Sequence, residues 1–283
     1  MIEQYNIDIL KPKWSKWKKK IANFVLFNLK FLRIGRTNRM IKKFNHLSGG
    51  DFIQACIEEI GFEYEIHNGQ GIPAEGPVTL CANHPGGADV VGTIGGLWNI
   101  RKDFSILANR LICVKPVMDI VIPVDLLKSK DKVDLDTIEE AYQNNRLVVF
   151  YAAGKNSRYN EKGELVDRRW RTTFLDYAYK YKTPIIIMNI ITSNTPLFYK
   201  VARIREKYSF LKKVPLENMF QLREIFKQKG RKLDMFASRK ISFEDWSKFY
   251  QPGNIKKNRE LADKLYNTVY QLSKDNHNTI WDS

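Results

Sequence analysis

His84 and Asp89 are five positions apart, with Pro85, Gly86, Gly87 and Ala88 between them. On one straight helix that separation would turn the two side chains about 140° apart, so they could not share a face. A turn has to bring them together, and Gly86 and Gly87 can take the backbone angles of a sharp reversal. Asp89 then falls where a helix N-cap would sit, and capping alone is the plainer reading of that carboxylate. The chemical reading is that a carboxylate on one imidazole nitrogen fixes the tautomer and leaves the other nitrogen to take a proton from a hydroxyl. That predicts a general base without a serine beside it, the nucleophile arriving with the substrate.

The elements around the pair follow from apolar runs and helical spacings. Residues 78–81 are a short apolar run that reads as a strand leading into Asn83 and His84, and 90–98 reads as the helix that Asp89 starts. Further strands are expected at 62–66, 104–107, 120–124 and 146–151, with 185–191 as a buried parallel strand and 233–238 as an edge strand. Helices are expected at 47–61, closed by Gly61, at 134–144, ending near 182, and at 254–273. His67 falls in a Gly-rich turn and reads as a surface residue, and His277 lies in a polar tail. Strands alternating with helices over 62–240 predict an α/β domain with a mixed, largely parallel sheet flanked by helices.

Asn83-His84-Pro85 with Asp89, directly after a strand, resembles the N-H-x4-D block of the glycerolipid and lysophospholipid acyltransferase superfamily. Three later stretches resemble its other blocks in the right order. Ile122-Pro123-Val124-Asp125 keeps the frame of the second block, but Leu126 stands where the family has a basic residue, and Lys128 is the nearest substitute. Ala152-Ala153-Gly154-Lys155-Asn156-Ser157-Arg158 resembles the third block, usually Pro-Glu-Gly-Thr-Arg-Ser. Gly154 and Ser157 keep their frame, while Asn156 replaces the Arg whose fork would grip a phosphate. Pro184 with the run 185–191 resembles the fourth.

The resemblance implies transfer of a fatty acyl group from an acyl carrier protein or coenzyme A thioester to a lysolipid, either a lysophospholipid or a lyso-aminolipid. In it His84 is the general base and Asp89 orients it; the tetrahedral oxyanion needs hydrogen-bond donors, for which the backbone around Gly154 is the candidate. Lys155, Ser157, Arg158 and Lys128 are the expected anion-binding residues for the acceptor. No metal or other cofactor is implied. With two phosphate-gripping residues missing, and with the third block similar to bacterial branches of aminolipid synthesis, a head group without phosphate is the expected acceptor.

Composition bears on the setting of this chemistry. The 283 residues carry a net charge of +16, and residues 1–46 hold twelve Lys or Arg against Glu3 and Asp8. In the same segment Trp14, Trp17, Ile21, Phe24, Phe27, Phe31 and Ile34 recur at helical spacing, with Lys13, Lys16, Lys18, Lys19, Lys20 and Lys30 mostly off that stripe. This predicts a basic amphipathic helical segment over 1–46 lying on a phospholipid surface, followed by the acyltransferase domain over 47–283. Packing of the stripe on the domain itself is the alternative. A second basic stretch, 200–232, reads as a solvated helical face over a packed one, or as a further membrane or carrier-protein patch. No run is apolar for long enough to span a bilayer, and no signal peptide is apparent. The expected location is therefore peripheral, on the cytoplasmic face of the inner membrane. Cys56, Cys81 and Cys113 form no paired motif, so neither a disulfide framework nor a zinc site is expected. Rival readings are a nucleic-acid-binding protein, for which no motif is found, a hydrolase using Cys81 or Ser157, and an inactive acyltransferase-like lipid-binding protein.

Overall fold

A computed structural model describes residues 15–17, 19–20, 30–109, 112–124, 135–208, 216–279 and 281–282. The strands are β1 (Glu63–His67), β2 (Val78–Ala82), β3 (Phe104–Asn109), β4 (Val121–Val124), β5 (Leu147–Tyr151), the short β6 (Arg158–Tyr159) and β7 (Leu165–Val166), β8 (Ile185–Ile191) and β9 (Lys232–Ala237). Seven of them form one sheet in the order β1-β9-β8-β2-β5-β3-β4, and β6 and β7 pair as a separate hairpin. From β8 across to β4 all neighbours are parallel, whereas β9 runs antiparallel to β8 and parallel to β1.

The sheet is α/β and covered on both faces. Successive side chains of a strand point to opposite faces, and β5 obeys this: Leu147, Val149 and Tyr151 enter one apolar cluster, Val148 and Phe150 the other. The first cluster is closed by α1 (Ile34–Lys43), α2 (Gly49–Ile60) and α3 (Asp89–Trp98). The second is closed by α4 (Leu135–Gln143), α5 (Thr173–Lys180), the short α8 (Phe243–Trp246) and α9 (Ile255–Val269). Between the last strands lie α6 (Pro196–Lys207) and α7 (Leu216–Phe226). α3 packs unusually close: a Cβ on Gly95 would lie 2.9 Å from Ile57, and one on Gly96 would lie 2.7 Å from Ile66. That contact fixes where Asp89, its first residue, stands.

Three expectations are corrected here. β9 is interior, between β1 and β8; its alternating burial records which face is covered, and the backbone pairing that makes a strand an edge leaves no mark on side-chain pattern. β8 is parallel only toward β2. His67 is no loop residue but the last of β1, stacked on Phe236 at 4.7 Å and bonded to Asp234 at 2.8 Å.

Of the N-terminal stripe, Trp17, Phe31 and Ile34 are among the described residues; Trp14, Ile21, Phe24 and Phe27 lie outside them. Trp17 and Phe31 are exposed, yet Leu32 is buried, the Phe31 ring meets Phe220 at 5.9 Å, and Met40 and Ile41 join the core. Among the described residues no helix is long and apolar enough to cross a membrane.

Candidate active site

β2 ends beside β5 and β8, and the chain's polar groups gather at these carboxyl ends, where open parallel sheets bind ligands. Asn83 extends the β2–β8 ladder with its side chain: Nδ2 donates to the Ile190 carbonyl at 3.1 Å, and Oδ1 accepts the Ile190 N–H at 2.7 Å. The next residue is thereby aimed out of the sheet. Gly86 and Gly87, both at positive φ (94° and 68°), then reverse the chain.

Asp89 Oδ2 accepts from His84 Nδ1 at 2.7 Å and from the Gly86 N–H at 2.7 Å. Asp89 stands as the first helical residue, one place inside the expected cap, and its Oδ1 takes the Val90 N–H at 2.7 Å. Since the carboxylate can only accept, Nδ1 carries the proton and Nε2 presents a lone pair. Burial works to lower the imidazole's pKa, but the charge and hydrogen bond of Asp89, with the charge of Asp167, outweigh it and hold the pKa above the ordinary histidine value. The ring lies against Tyr151 at 4.6 Å, whose hydroxyl is tied to Thr93. Chemically, this is a base held in one tautomer and one orientation.

The loop after β5 meets His84 from the other side. Asn156 Nδ2 lies 3.3 Å from His84 Nε2, the nitrogen a hydroxyl would have to reach. Ser157 is fully buried; its N–H donates to the His84 carbonyl at 2.7 Å and its hydroxyl donates to Asp167 at 2.5 Å. Ser157 therefore braces the loop and does not line the cavity. Arg158 does not line it either: its guanidinium bonds the Asn156 and Ser157 carbonyls and sits 3.6 Å from Glu206 and 5.8 Å from the centre of the Phe198 ring. The Gly154 N–H, expected to serve an oxyanion, closes a turn on the Tyr151 carbonyl at 2.9 Å. Lys155 and Gly154 do line the cavity. Lys128, with Asp125 and Leu126, lies outside the described residues.

The cavity measures about 220 Å³. Its lining combines apolar side chains, among them Val90, Leu107, Ile112, Ile138, Phe150 and Phe174, with His84, Asp89, Asn156, Arg171, Asn194 and Arg205. Sequence spacing missed Asp167, which accepts the His84 N–H at 3.0 Å and the Trp170 indole N–H at 3.0 Å while burial pushes its pKa up. It also missed Asn194, although its place just past the end of a buried parallel strand is a signal that could have found it.

The sequence profile of a family described as Acyltransferase matches residues 10–265. The chain belongs to that family. Two relatives of this acyltransferase, from Bacteroides thetaiotaomicron and Phocaeicola vulgatus, bear the name lyso-glycine lipid O-acyltransferase. The first is 23% identical over 268 residues, covering 93% of this chain and 95% of the relative; the second is 24% identical over 269 residues, covering 93% of each. Among solved structures, the 1-acyl-sn-glycerophosphate acyltransferase PlsC of Thermotoga maritima matches 88% of this chain and 94% of its own, at 12% identity and a TM-score of 0.44.

In the acyltransferase Cys81 is buried in β2 and burial raises its thiol pKa well above the usual value, so it is no nucleophile. Among the described residues, Glu65, His67 and Asp234 have donor atoms within 4.8 Å of one another, close enough to share a cation. The Lys232 ammonium already lies 2.5 Å from Glu65 and 3.4 Å from Asp234, and none of the three lines the cavity.

Proposed function

We propose that this acyltransferase moves a fatty acyl group from a thioester, of coenzyme A or an acyl carrier protein, to the hydroxyl of a lysolipid with an amino-acid head group. The observation that carries the reading is the His84–Asp89 pair, 2.7 Å apart in the wall of a cavity that is also lined by apolar side chains. His84 Nε2 takes the hydroxyl proton, Asp89 holds the tautomer and steadies the imidazolium, and the apolar side chains of the cavity take acyl chain. No residue of the chain is acylated.

Two features support the acceptor class. Asn156 stands where the resemblance would put an Arg, so a bidentate grip on phosphate is lacking there. Lys155, Arg171 and Arg205 line the cavity and supply positive charge for the carboxylate of such a head group. Both relatives are named for a glycine lipid. α6 supports work at a bilayer, since Leu197 and Ile204 are exposed on it beside Lys200, Arg203 and Lys207. The enzyme then sits peripherally, on the cytoplasmic face where thioester donors are made.

The test is a competition assay with purified protein, one acyl donor at a time and equal amounts of a lyso-amino-acid lipid and lysophosphatidic acid. Preferential acylation of the amino-acid lipid is expected. Preference for lysophosphatidic acid would mean that Lys155, Arg171 and Arg205 clamp phosphate despite Asn156, and the acceptor class proposed here would fall.

A further inference from the structure

Asn194 is held through its backbone and its side-chain oxygen. Its backbone N–H donates to the Tyr199 hydroxyl at 3.2 Å, and its Oδ1 accepts the Gly87 N–H at 2.7 Å. Behind it, Gln228 Nε2 donates to the Ser193 carbonyl at 3.2 Å, and fully buried Glu224 accepts from the N–H and hydroxyl of Thr195. Because a backbone N–H faces one side of the amide, that side has to be the oxygen, and the nitrogen is fixed on the other. Nδ2 is buried and has no hydrogen-bond partner among the described residues. It is not remote from the chemistry. Asn194 is 4% exposed and lines the cavity, and a Cβ on Gly86 would come within 2.1 Å of Nδ2, so the amide lies against the turn that joins His84 to Asp89. Buried N–H groups are nearly always paired, and one clamped unpaired at a cavity wall is a donor reserved for a ligand.

We propose that Asn194 Nδ2 is a donor to the acyl carbonyl oxygen, forming the oxyanion site of the acyl transfer described above, on which this assignment rests. As the acceptor hydroxyl gives its proton to His84 Nε2, its oxygen bonds to the thioester carbon and the carbonyl electron pair moves onto oxygen, where the Asn194 amide donates to it. Collapse re-forms the carbonyl and breaks the carbon–sulfur bond. The departing thiolate takes the proton from His84, which is neutral again. The N–H groups of Gly154 and Ser157 are spent on the Tyr151 and His84 carbonyls, so a side-chain amide supplies a donor that these two cannot.

Asn194→Asp keeps an oxygen to accept from Gly87 and removes the donor; Asn194→Ala removes both. Steady-state kinetics on both variants should show kcat lowered by about 10²- to 10³-fold, with KM for the acyl donor within about threefold of the wild type. A purely structural role would leave Asn194→Asp with near-normal kcat and cripple Asn194→Ala alone, and that result overturns the assignment. A second measurement does not depend on turnover or on either variant's rate. In a His84→Ala background, where transfer is blocked, the isotope-edited infrared band of the bound thioester carbonyl should lie at lower frequency with Asn194 present and rise when Asn194→Ala is added. An unmoved band overturns the assignment, while a band that moves in a protein whose wild type transfers no acyl group would overturn the transfer reading alone.

Discussion

At the level of single residues, the proposed mechanism makes His84 bear on both rate and pH. Removing a general base lowers turnover by about 10² to 10⁴-fold, so His84→Ala is expected to lose acyl transfer to that degree while still folding, and Asp89→Asn to lose a large part of it. Turnover and melting curves on the purified variants check this. The base has to be neutral to work, and its pKa is raised, so activity should climb with pH through a limb lying above the ordinary histidine value. Asp167 is among the charges that raise it, acting from the far side of the ring's own backbone. Asp167→Asn should therefore move that limb toward lower pH while keeping a side chain that can accept from the His84 N–H. A pH–rate profile for kcat/KM reads the shift, and a limb that stays put would show that Asp167 braces the loop without tuning the base.

At the level of elements, the site is a meeting of loops at the ends of β2, β5 and β8, and these were unequally legible in the chain. His84 and Asp89 could be read from sequence because a glycine turn is a local device: the bond closes over five residues. Asn194 meets Gly87 across 107 positions and Asp167 meets His84 across 83, distances at which only the order of strands in the sheet decides who becomes a neighbour. The strands themselves were legible because β2, β5 and β8 are buried almost throughout and mostly apolar. The direction of β9 was not, since parallel and antiparallel partners ask for the same side chains. The same ambiguity misled the reading of the basic residues: charge counts cannot tell that Arg158 folds back on its own loop while Arg171 reaches the cavity. Two substitutions probe the loops. Gly86→Ala forces a side chain into positive φ and onto the Asn194 amide; it should cost more than about 1 kcal/mol in stability and most of the activity. Glu224→Ala leaves Arg223 without the carboxylate it shares with Thr195 and should cost on the order of 3 kcal/mol, as denaturant titration would measure.

At the level of the whole molecule, the proposed work at a bilayer rests on charge and hydrophobic surface. The segment 1–46 divides by its contacts: Leu32, Met40 and Ile41 belong to the domain's core, so deleting residues 1–46 should lower the melting temperature. Deleting only 1–29 spares those side chains while taking six of the twelve cationic ones. Liposome sedimentation should then fall, most at low salt, with the melting curve little changed. Unaltered sedimentation would assign the membrane contact to α6 and its neighbours instead. The burial of Cys56, Cys81 and Cys113 has a use of a different kind. Cys81 sits on the central strand at 0% exposure, and burial pushes the Cys56 thiol up to about 12. A thiol reagent can reach such groups only while the fold is open, so the rate of alkylation is a clock for opening. Cys81, between two parallel neighbours, should be modified only as fast as the sheet comes apart, and a lipid or donor that binds the native cavity should slow that clock in proportion to its affinity.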